Sequence, residues 1–315
     1  MIKNRHEMDE RQHKALTGLT HPAFDALLPT FRESYQEIIL ENYAKNQAKR
    51  KRRPGGGQKG RLNSLEKKLF FILYYLKVYP TFDVLGANFG MDRSKAWMNV
   101  NKLFPVLNRA LAKVDMLPKR HFETAAEMRQ AFAQIVELLV DATERPQQRP
   151  QDEAAQKQKY SGKRKRHTAK NTVIAHLGQK ILFLGYTVFG QPHDYALFKN
   201  EFSSQQNWFE TFKVWVDLGY LGFQKEYQTL EIHLPHKKPR KSKAHPHTAL
   251  TLEQKEENRQ MSRVRVLVEN AICRMKRFRC LVDTFRNHKE HLVDDVAVLA
   301  AGLANWSLSS RTVPS

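Results

Sequence analysis

The chain has 315 residues, and 41% of them are hydrophobic, which is enough to bury the core of one large domain and a smaller one. Its 53 lysines and arginines exceed its 32 aspartates and glutamates and give a net charge of +21. An excess of this size favours a nucleic acid partner, because lysine and arginine neutralise phosphates and release their counterions. A charge that serves solubility and a ribosomal type of RNA binding are the alternatives.

Cysteine usage and the lack of long apolar segments indicate an intracellular protein. Cys273 and Cys280 are too few for a disulfide framework or a four-ligand zinc site, so we expect them to pack in a reducing cytosol. Residues 1–11 are polar and charged and contain no apolar signal-peptide core. No stretch approaches the roughly 20 apolar residues of a membrane span. We therefore expect a soluble, cytoplasmic protein with no membrane partner.

The N-terminal segment, residues 1–48, is predicted to be helical from residue 14 onwards, because apolar residues recur there at three-and-four spacing. Residues 49–61 form a basic, glycine-rich linker, since a glycine run holds neither a helix nor a strand and the lysines and arginines before it repel one another. Basic arms of this kind enter the DNA minor groove, so Arg52 and Arg53 are candidate DNA contacts. A plain solvated spacer is the alternative.

Residues 62–125 have the proportions of a helix-turn-helix domain. Asn63 and Glu66 predict a capping box that opens a first helix, which Pro80 closes. Residues 81–88 form a short second helix, Gly90 makes the turn, and Asp92 caps a third helix. In this motif the third helix would lie in the major groove and present its first turn to DNA, namely Arg93, Ser94 and Lys95. Generic three-helix packing fits the apolar pattern equally well.

Beyond residue 130 the pattern changes to short apolar runs typical of strands. Residues 135–140 and 214–216 are two such runs, and residues 172–176 and 181–188 predict a hairpin around Gly178. Residues 230–234 are a weaker strand, and helices are expected over residues 194–202, 252–278 and 290–307. Three strands followed by alternating helices and strands predict a mixed sheet flanked by helices.

Two of the strands end in an aspartate. Asp141 directly follows Leu138-Leu139-Val140, and Asp217 follows Val214-Trp215-Val216. If these strands are neighbours, both carboxylates point into one site. Aspartate also ends strands as a turn former, and this reading stays open for each residue taken alone.

The helix over residues 261–278 offers a third carboxylate. At roughly 100° per residue, Ser262, Arg265 and Lys276 fall within about 40° of Glu269. The apolar positions fall on the opposite side: Val264, Leu267, Val268, Ala271, Met275 and Phe278. The helix thus packs one face and presents Arg, Glu and Lys on the other. An ordinary solvated face with an Arg–Glu pair is the alternative.

Three carboxylates from separate elements suit phosphodiester chemistry. Two Mg²⁺ ions about 4 Å apart, with Mn²⁺ as a substitute, activate the attacking oxygen and stabilise the leaving oxygen, and carboxylates are their preferred ligands. Asp141, Asp217 and Glu269 are therefore candidate catalytic residues and metal ligands. Arg265 and Lys276 would contact DNA phosphates or the charge of the transition state.

The chain resembles the DDE-type transposases of bacterial insertion sequences, in particular the insertion sequence five family and its DDE superfamily endonuclease relatives. The resemblance covers roughly residues 60–305 and rests on several blocks in the right order: Val140-Asp141-Ala142-Thr143-Glu144, residues 160–171, Pro192-His193-Asp194-Tyr195, residues 216–222, and Arg265, Glu269 and Lys276 at the spacing of the family's Y-R-E-K motif. Ser262 stands where that motif has tyrosine, which puts any role of a tyrosine at this position in doubt.

The resemblance implies an RNase H-like α/β fold over residues 130–310, preceded by the all-α helix-turn-helix region. It also implies a divalent metal, double-stranded DNA as substrate (the element's terminal repeats and the target) and a homo-oligomer assembled on that DNA at the nucleoid. The expected function is a transposase that cleaves DNA and transfers strands. A domesticated DNA-binding regulator and a host DNA endonuclease are the alternatives.

Two further groups of residues fit this expectation. A dense basic strip lies near the expected cleft and is assigned to DNA phosphates, with a charged, solvated strand edge as the alternative: Lys163, Arg164, Lys165, Arg166 and Lys170. His193 and Asp194 are given a supporting role at the edge of the site, although Asp194 also suits the cap of a helix.

Overall fold

A computed structural model of the chain describes residues 5–46, 60–190, 192–239, 249–287 and 289–310. Arg52 and Arg53, with most of the predicted linker, lie outside these residues. The chain divides into two compact units, Met1–Leu117 with Met275–Ser315, and Pro118–Arg274. These units differ from the domain boundaries predicted from the sequence, 62–125 and 130–310. The last helix is counted with the N-terminal helices because it packs with them.

The helices of the described residues are α1 (Glu10–Thr17), α2 (His21–Lys45), α3 (Leu65–Val78), α4 (Phe82–Phe89), α5 (Arg93–Lys113), α6 (Ala125–Ala131), α7 (Glu153–Lys159), α8 (Asp194–Glu201), α9 (Phe223–Glu226), α10 (Leu252–Met275) and α11 (Glu290–Ser309). The strands are β1 (Glu137–Pro146), β2 (Tyr160–Ser161), β3 (Arg166–Ala175), β4 (Ile181–Leu184), β5 (Val188–Phe189), β6 (Phe209–Trp215) and β7 (Thr229–His233).

The segment predicted to be helical from residue 14 onwards contains two helices, α1 and α2. Gly18 adopts a left-handed conformation with φ 82° and ends α1, where its N–H donates to the Lys14 carbonyl. Thr20 then caps α2, accepting from the Ala23 N–H, and Pro22 lies in the first turn. Gly18, Thr20 and Pro22 are recognisable helix-end signals in the sequence. The sequence analysis did not use them because the apolar spacing continues across them.

The helix-turn-helix elements α3, α4 and α5 are confirmed with one change of cap. Ser64, and not Asn63, caps α3 by accepting from the Lys67 N–H, and the Glu66 carboxylate pairs with Arg5 instead of closing a capping box. Gly90 makes the turn after α4 with φ 66°, and Asp92 caps α5 by accepting from the Lys95 N–H at 2.7 Å. The local signals in this segment therefore agree with the tertiary fold.

Helix α11 is long and apolar enough to cross a membrane by length and composition, which departs from the expectation that no stretch comes close. Its apolar residues are buried within the helical unit, where it packs with α5. The buried positions include Leu292, Val293, Val296, Leu299, Ala300 and Leu303. Packing inside the protein thus accounts for the apolar character of this helix.

The second unit contains a mixed sheet in the order β2-β3-β1-β6-β7, with β4 and β5 also paired to β3. β1 runs antiparallel to β3 and parallel to β6, and β6 is parallel to β7. A core of aliphatic strand residues and aromatic rings packs against this sheet, including Leu138, Val140, Ile174, Val214, Phe198, Phe202 and Phe209. The expected RNase H-like mixed sheet flanked by helices, preceded by a helical region, is confirmed.

Several short elements escaped the sequence analysis: α6, α7, α9 and β2. Each has fewer than eight residues, so it carries too few apolar positions for a period to be recognised. β3 also begins at Arg166, six residues before its predicted start, because polar residues there pair with β1 and face partners inside the protein.

Candidate active site

The strand register brings Asp141 and Asp217 to neighbouring strands. β1 and β6 pair in parallel, with Leu139 opposite Trp215, so each aspartate comes two residues after the same paired position. Asp217 directly follows Val216 at the end of β6 and accepts from the Gly219 N–H at 2.8 Å. Asp141 lies inside β1 and not at its end as predicted, because residues 142–146 continue the strand by pairing with β3.

The Asp141 carboxylate is partly buried and lies near other acids. Its Oδ1 accepts from the Ala142 N–H at 2.7 Å. Burial raises the pKa of Asp141 to about 6; the charges of Asp217 and Asp194 raise it too, while the Ala142 N–H and Arg265 lower it. A nearby cation would stabilise the charged form of Asp141. It would offset both the cost of burying the charge and the repulsion from the neighbouring acids.

Helix α10 presents Arg265 and Glu269 towards the aspartates. The Arg265 Nη2 lies 3.9 Å from Asp217 Oδ2 and 3.8 Å from Glu269 Oε1, so one guanidinium lies between two of the predicted ligands. The side chains are 24% exposed for Arg265, 35% for Asp217 and 54% for Glu269. On the predicted apolar face of this helix, Val268, Ala271 and Met275 are buried.

Two residues of the motif fall outside this arrangement. Ser262 donates its hydroxyl to the Asn258 carbonyl at 2.8 Å, within its own helix. Lys276 follows Met275, the last residue of α10, so the helix predicted to run to residue 278 is three residues too long. The helical wheel of α10 therefore does not apply to Lys276, which belongs to the other compact unit. The catalytic role of Lys276 stays a prediction.

The acids fit a divalent cation by their chemistry, although they are not gathered into a finished cage. Within the described ranges, no three His, Cys, Asp or Glu side chains stand close enough together to hold a metal ion. Asp141 and Asp217 are hard oxygen donors whose mutual repulsion a cation would relieve. Glu269 is exposed and pairs with Arg265, and its place in the ligand set stays a prediction.

Asp194 adds a fourth acid, and Lys170 holds it. Asp194 is the first residue of α8 and does not cap it; His193 stands at the cap position and makes no side-chain cap bond. The Lys170 ammonium donates to the Asp194 carboxylate at 3.3 Å and to the Pro192 carbonyl at 3.0 Å, and its side chain is only 6% exposed. Lys163 lies 3.5 Å from the other Asp194 oxygen. Lys170 is thus a buried partner of Asp194 and does not share the exposed surface expected of the basic strip.

Two family models match the chain. Residues 140–305, just over half of it, match the DDE superfamily endonuclease, and residues 60–113 match the helix-turn-helix of DDE superfamily endonuclease. The chain belongs to the DDE superfamily endonucleases. It is also 28% identical over 314 residues to the "Probable transposase for insertion sequence element IS702" of Microchaete diplosiphon, an alignment covering 98% of this chain and 99% of that one. No solved structure matches.

A DDE superfamily endonuclease is a nuclease, and members of this superfamily generally use divalent metals. The matched range contains Asp141, Asp217, Arg265 and Glu269. The second match makes the helix-turn-helix of this endonuclease a DNA-binding region. Its α5 exposes Arg93, Ser94 and Lys95 in the first turn.

The exposed part of the predicted basic strip is residues 163–166, which we call the basic turn: residues 163–165 lie in the turn between β2 and β3, and Arg166 is the first residue of β3. All four of its side chains are exposed, and Lys165 adopts a left-handed conformation with φ 51°. Arg164 lies 3.5 Å from Glu144 of β1. Four adjacent cations on a turn of this endonuclease suit contact with a phosphate backbone.

Three residues near the candidate DNA-binding and catalytic residues were not singled out by the sequence analysis. Trp97 and Met98 of α5 are 37% and 61% exposed, next to the first turn of the helix-turn-helix. Two apolar residues on the polar side of a helix were the available signal. The third, Tyr220, is fully buried and follows Asp217 by three residues. Its position in the core gave no signal that separates it from an ordinary packed tyrosine.

Proposed function

We propose that this endonuclease is an insertion-sequence transposase, of the insertion sequence five family, that binds the terminal inverted repeats of its element and catalyses DNA cleavage and strand transfer. The observation that carries the proposal is the convergence of Asp141 and Asp217 on adjacent parallel strands, with Arg265 joining Asp217 to Glu269. Similarity over nearly the full length to a probable transposase supports the step from nuclease to transposase.

Asp141, Asp217 and Glu269 would hold two Mg²⁺ ions, or Mn²⁺ in their place, which when bound activate the attacking oxygen and stabilise the leaving oxygen. The chain's own residues position the reactants. Asp141 is fixed in a buried strand and Asp217 at the start of a turn, so the two carboxylates keep their separation while DNA enters. A rigid pair of this kind supplies the alignment on which phosphoryl transfer depends.

Arg265 would change partners during the reaction. In the DNA-free protein its guanidinium neutralises Asp217 and Glu269. With DNA bound, the guanidinium would donate to a phosphate and stabilise the charge that develops on the phosphoryl oxygens, while Asp217 and Glu269 would be available to hold the metal. Strand transfer would follow in the same site, with a freed 3′-hydroxyl as the nucleophile and no covalent link to the protein.

DNA would be held by several surfaces. The first turn of α5 would read base edges in the major groove, while the basic turn and the linker arginines Arg52 and Arg53 would contact phosphates or the minor groove. Phosphate contacts fix the register, and base contacts select the terminal repeats. We expect a homo-oligomer on DNA, since both ends of an element must be brought together, and action at the nucleoid in the cytoplasm.

The test is cleavage of labelled DNA that carries the ends flanking the gene, with the full-length protein in Mg²⁺ or EDTA. Asp141→Asn should abolish cleavage and retain DNA binding. Asp152→Asn is a matched control, because it removes the same charge at the exposed cap of α7, where asparagine caps equally well.

Metal-dependent cutting at the ends, followed by joining to a target plasmid, would establish the transposase. Cutting without joining would favour a host endonuclease. Tight binding with no cutting in Mg²⁺ or Mn²⁺ would refute the proposal and favour a DNA-binding regulator.

A further inference from the structure

The first part of helix α10, from Leu252 to Leu267, has no buried apolar face. Each residue in this range is exposed or only half-buried, and Leu252 is 84% exposed. Val268, which is 2% exposed, is the first buried residue of the helix. Burial of apolar side chains therefore does not set the direction of these first turns, roughly four in number.

Asn258 lies in this part of the helix and pairs with the backbone of His236. Its Oδ1 accepts from the His236 N–H at 2.7 Å, and its Nδ2 donates to the His236 carbonyl at 3.0 Å. The His236 ring also contacts the carboxylate of Glu257 on the same helix. An amide side chain offers a donor and an acceptor side by side, so the two bonds fix both the distance and the rotation of the helix at this point.

His236 is in turn tied to the strand that leads to Asp217. It follows the end of β7 by three residues, and β7 runs parallel to β6. The Val216 N–H, one residue before Asp217, donates to the carbonyl of His233, the last residue of β7, at 3.2 Å. The paired hydrogen bonds therefore join α10 to the part of the sheet where Asp217 lies.

Asn258 shares one face of the helix with Arg265. At roughly 100° per residue, Arg265 falls about 20° from Asn258, and it lies about 10 Å further along the axis. Arg265 still belongs to the part of the helix without buried residues. Its Nη2 is 3.9 Å from Asp217 Oδ2. One stripe of α10 is thus joined to the segment after β7 at Asn258 and faces Asp217 two turns later.

We propose that Asn258 is a positioning residue, whose paired hydrogen bonds to His236 fix the direction of α10 and so hold Arg265 at Asp217. The inference rests on the proposed function, which assigns Arg265 to a DNA phosphate. On a helix that is free to tilt, this arginine would meet the phosphate in many geometries. A displacement of about 1 Å can lower a rate by about 10²-fold.

The first experiment measures the direction of α10 in the full-length protein, without metal or DNA, by double electron–electron resonance between two nitroxide labels. The labels are attached at Lys255→Cys on α10 and Glu210→Cys on β6, both exposed positions, after both native cysteines are changed to alanine. The labelled parent should give one narrow distance distribution, and Asn258→Ala should broaden or shift it. Gln260→Ala is the matched control, because it removes an exposed amide from the opposite side of the same helix, and it should leave the distribution unchanged.

The second experiment measures single-turnover cleavage of end DNA at saturating DNA, well below the melting temperature of each variant. Asn258→Ala should lower the cleavage rate by about tenfold to a hundredfold, and Gln260→Ala should leave it unchanged. In an Arg265→Gln background the loss caused by Asn258→Ala should vanish, because the two residues act as a pair. A general structural defect would lower the rate equally in both backgrounds.

Identical distance distributions in the parent and Asn258→Ala would overturn the inference and leave the proposed function standing. Equal effects of Asn258→Ala and Gln260→Ala, or a loss of cleavage that persists in the Arg265→Gln background, would overturn it as well. A wild-type protein that cuts no end DNA would refute the proposed function. The distance measurement, which needs neither metal nor DNA, would still decide whether Asn258 fixes the direction of the helix.

Discussion

Arg265 stands within 4 Å of two predicted metal ligands, so replacing it by glutamine should affect metal binding and catalysis in opposite directions. A unit positive charge roughly 5 Å from a divalent cation opposes binding by about 2–3 kcal/mol at an effective dielectric constant of about 50. Screening by solvent reduces this, since Asp217 and Glu269 are partly exposed, and leaves about 1–2 kcal/mol. Arg265→Gln should therefore tighten Mn²⁺ binding by roughly tenfold in the absence of DNA.

Cleavage should fall in the same variant. Loss of a cation that stabilises developing negative charge typically lowers kcat by about 10²–10³-fold. Stability should change by no more than about 1 kcal/mol, because partly exposed ion pairs contribute little. The assays are Mn²⁺ titration without DNA, single-turnover cleavage of end DNA and thermal unfolding.

Arg263→Gln is the matched control for this prediction, because it removes an exposed arginine from the far side of the same helix. It should leave Mn²⁺ affinity nearly unchanged. If Arg265→Gln weakened Mn²⁺ binding, or if Arg263→Gln tightened it equally, the idea that Arg265 competes with the cation would be refuted.

Three further predictions concern the sheet unit. Gly190→Ala should destabilise the protein by about 2 kcal/mol or more in chemical denaturation, because the added methyl would overlap the backbone carbonyl of Lys159 and Gly190 has a left-handed φ of 48°; an unchanged midpoint would contradict this packing. Burial raises the pKa of Glu201 to about 7 from 4.5, so the folded state binds the extra proton, and stability should fall by up to about 3 kcal/mol as pH rises from 4.5 to 7. Glu201→Gln should reduce that slope in unfolding measured across this pH range, and an equally steep slope would argue against the assignment. Serine at all four positions of the basic turn should weaken DNA binding at every sequence and lower the salt slope by up to about 4, whereas Lys170→Met should mainly lower the melting temperature, since Lys170 is buried against Asp194. The reverse pattern in filter binding and thermal unfolding would restore Lys170 as a DNA contact.

The sequence by itself determined the features that depend on a few neighbouring residues. Asp92 and Gly90 set the start of α5 and the turn before it, because a cap and a left-handed turn act over about four residues. The period of α10 separated its buried face from the side with Arg265 and Glu269 in the same way. The Asp141 and Asp217 strands were predicted as possible neighbours, and the family blocks supported the choice of these acids.

Tertiary structure alone decided the features that depend on residues far apart in the chain. Lys170 was assigned to an exposed basic strip, but Asp194, 24 positions later, holds it in the interior. Asp141 lies inside its strand because the next five residues find partners on β3. Tyr220 has acidic neighbours from β1 and α8, which are distant in the chain, besides Asp217 of its own turn. The physical reason is the same in each case: a side chain's propensity is local, whereas its burial, its charge partners and its unsatisfied hydrogen bonds are set by whatever the fold places beside it.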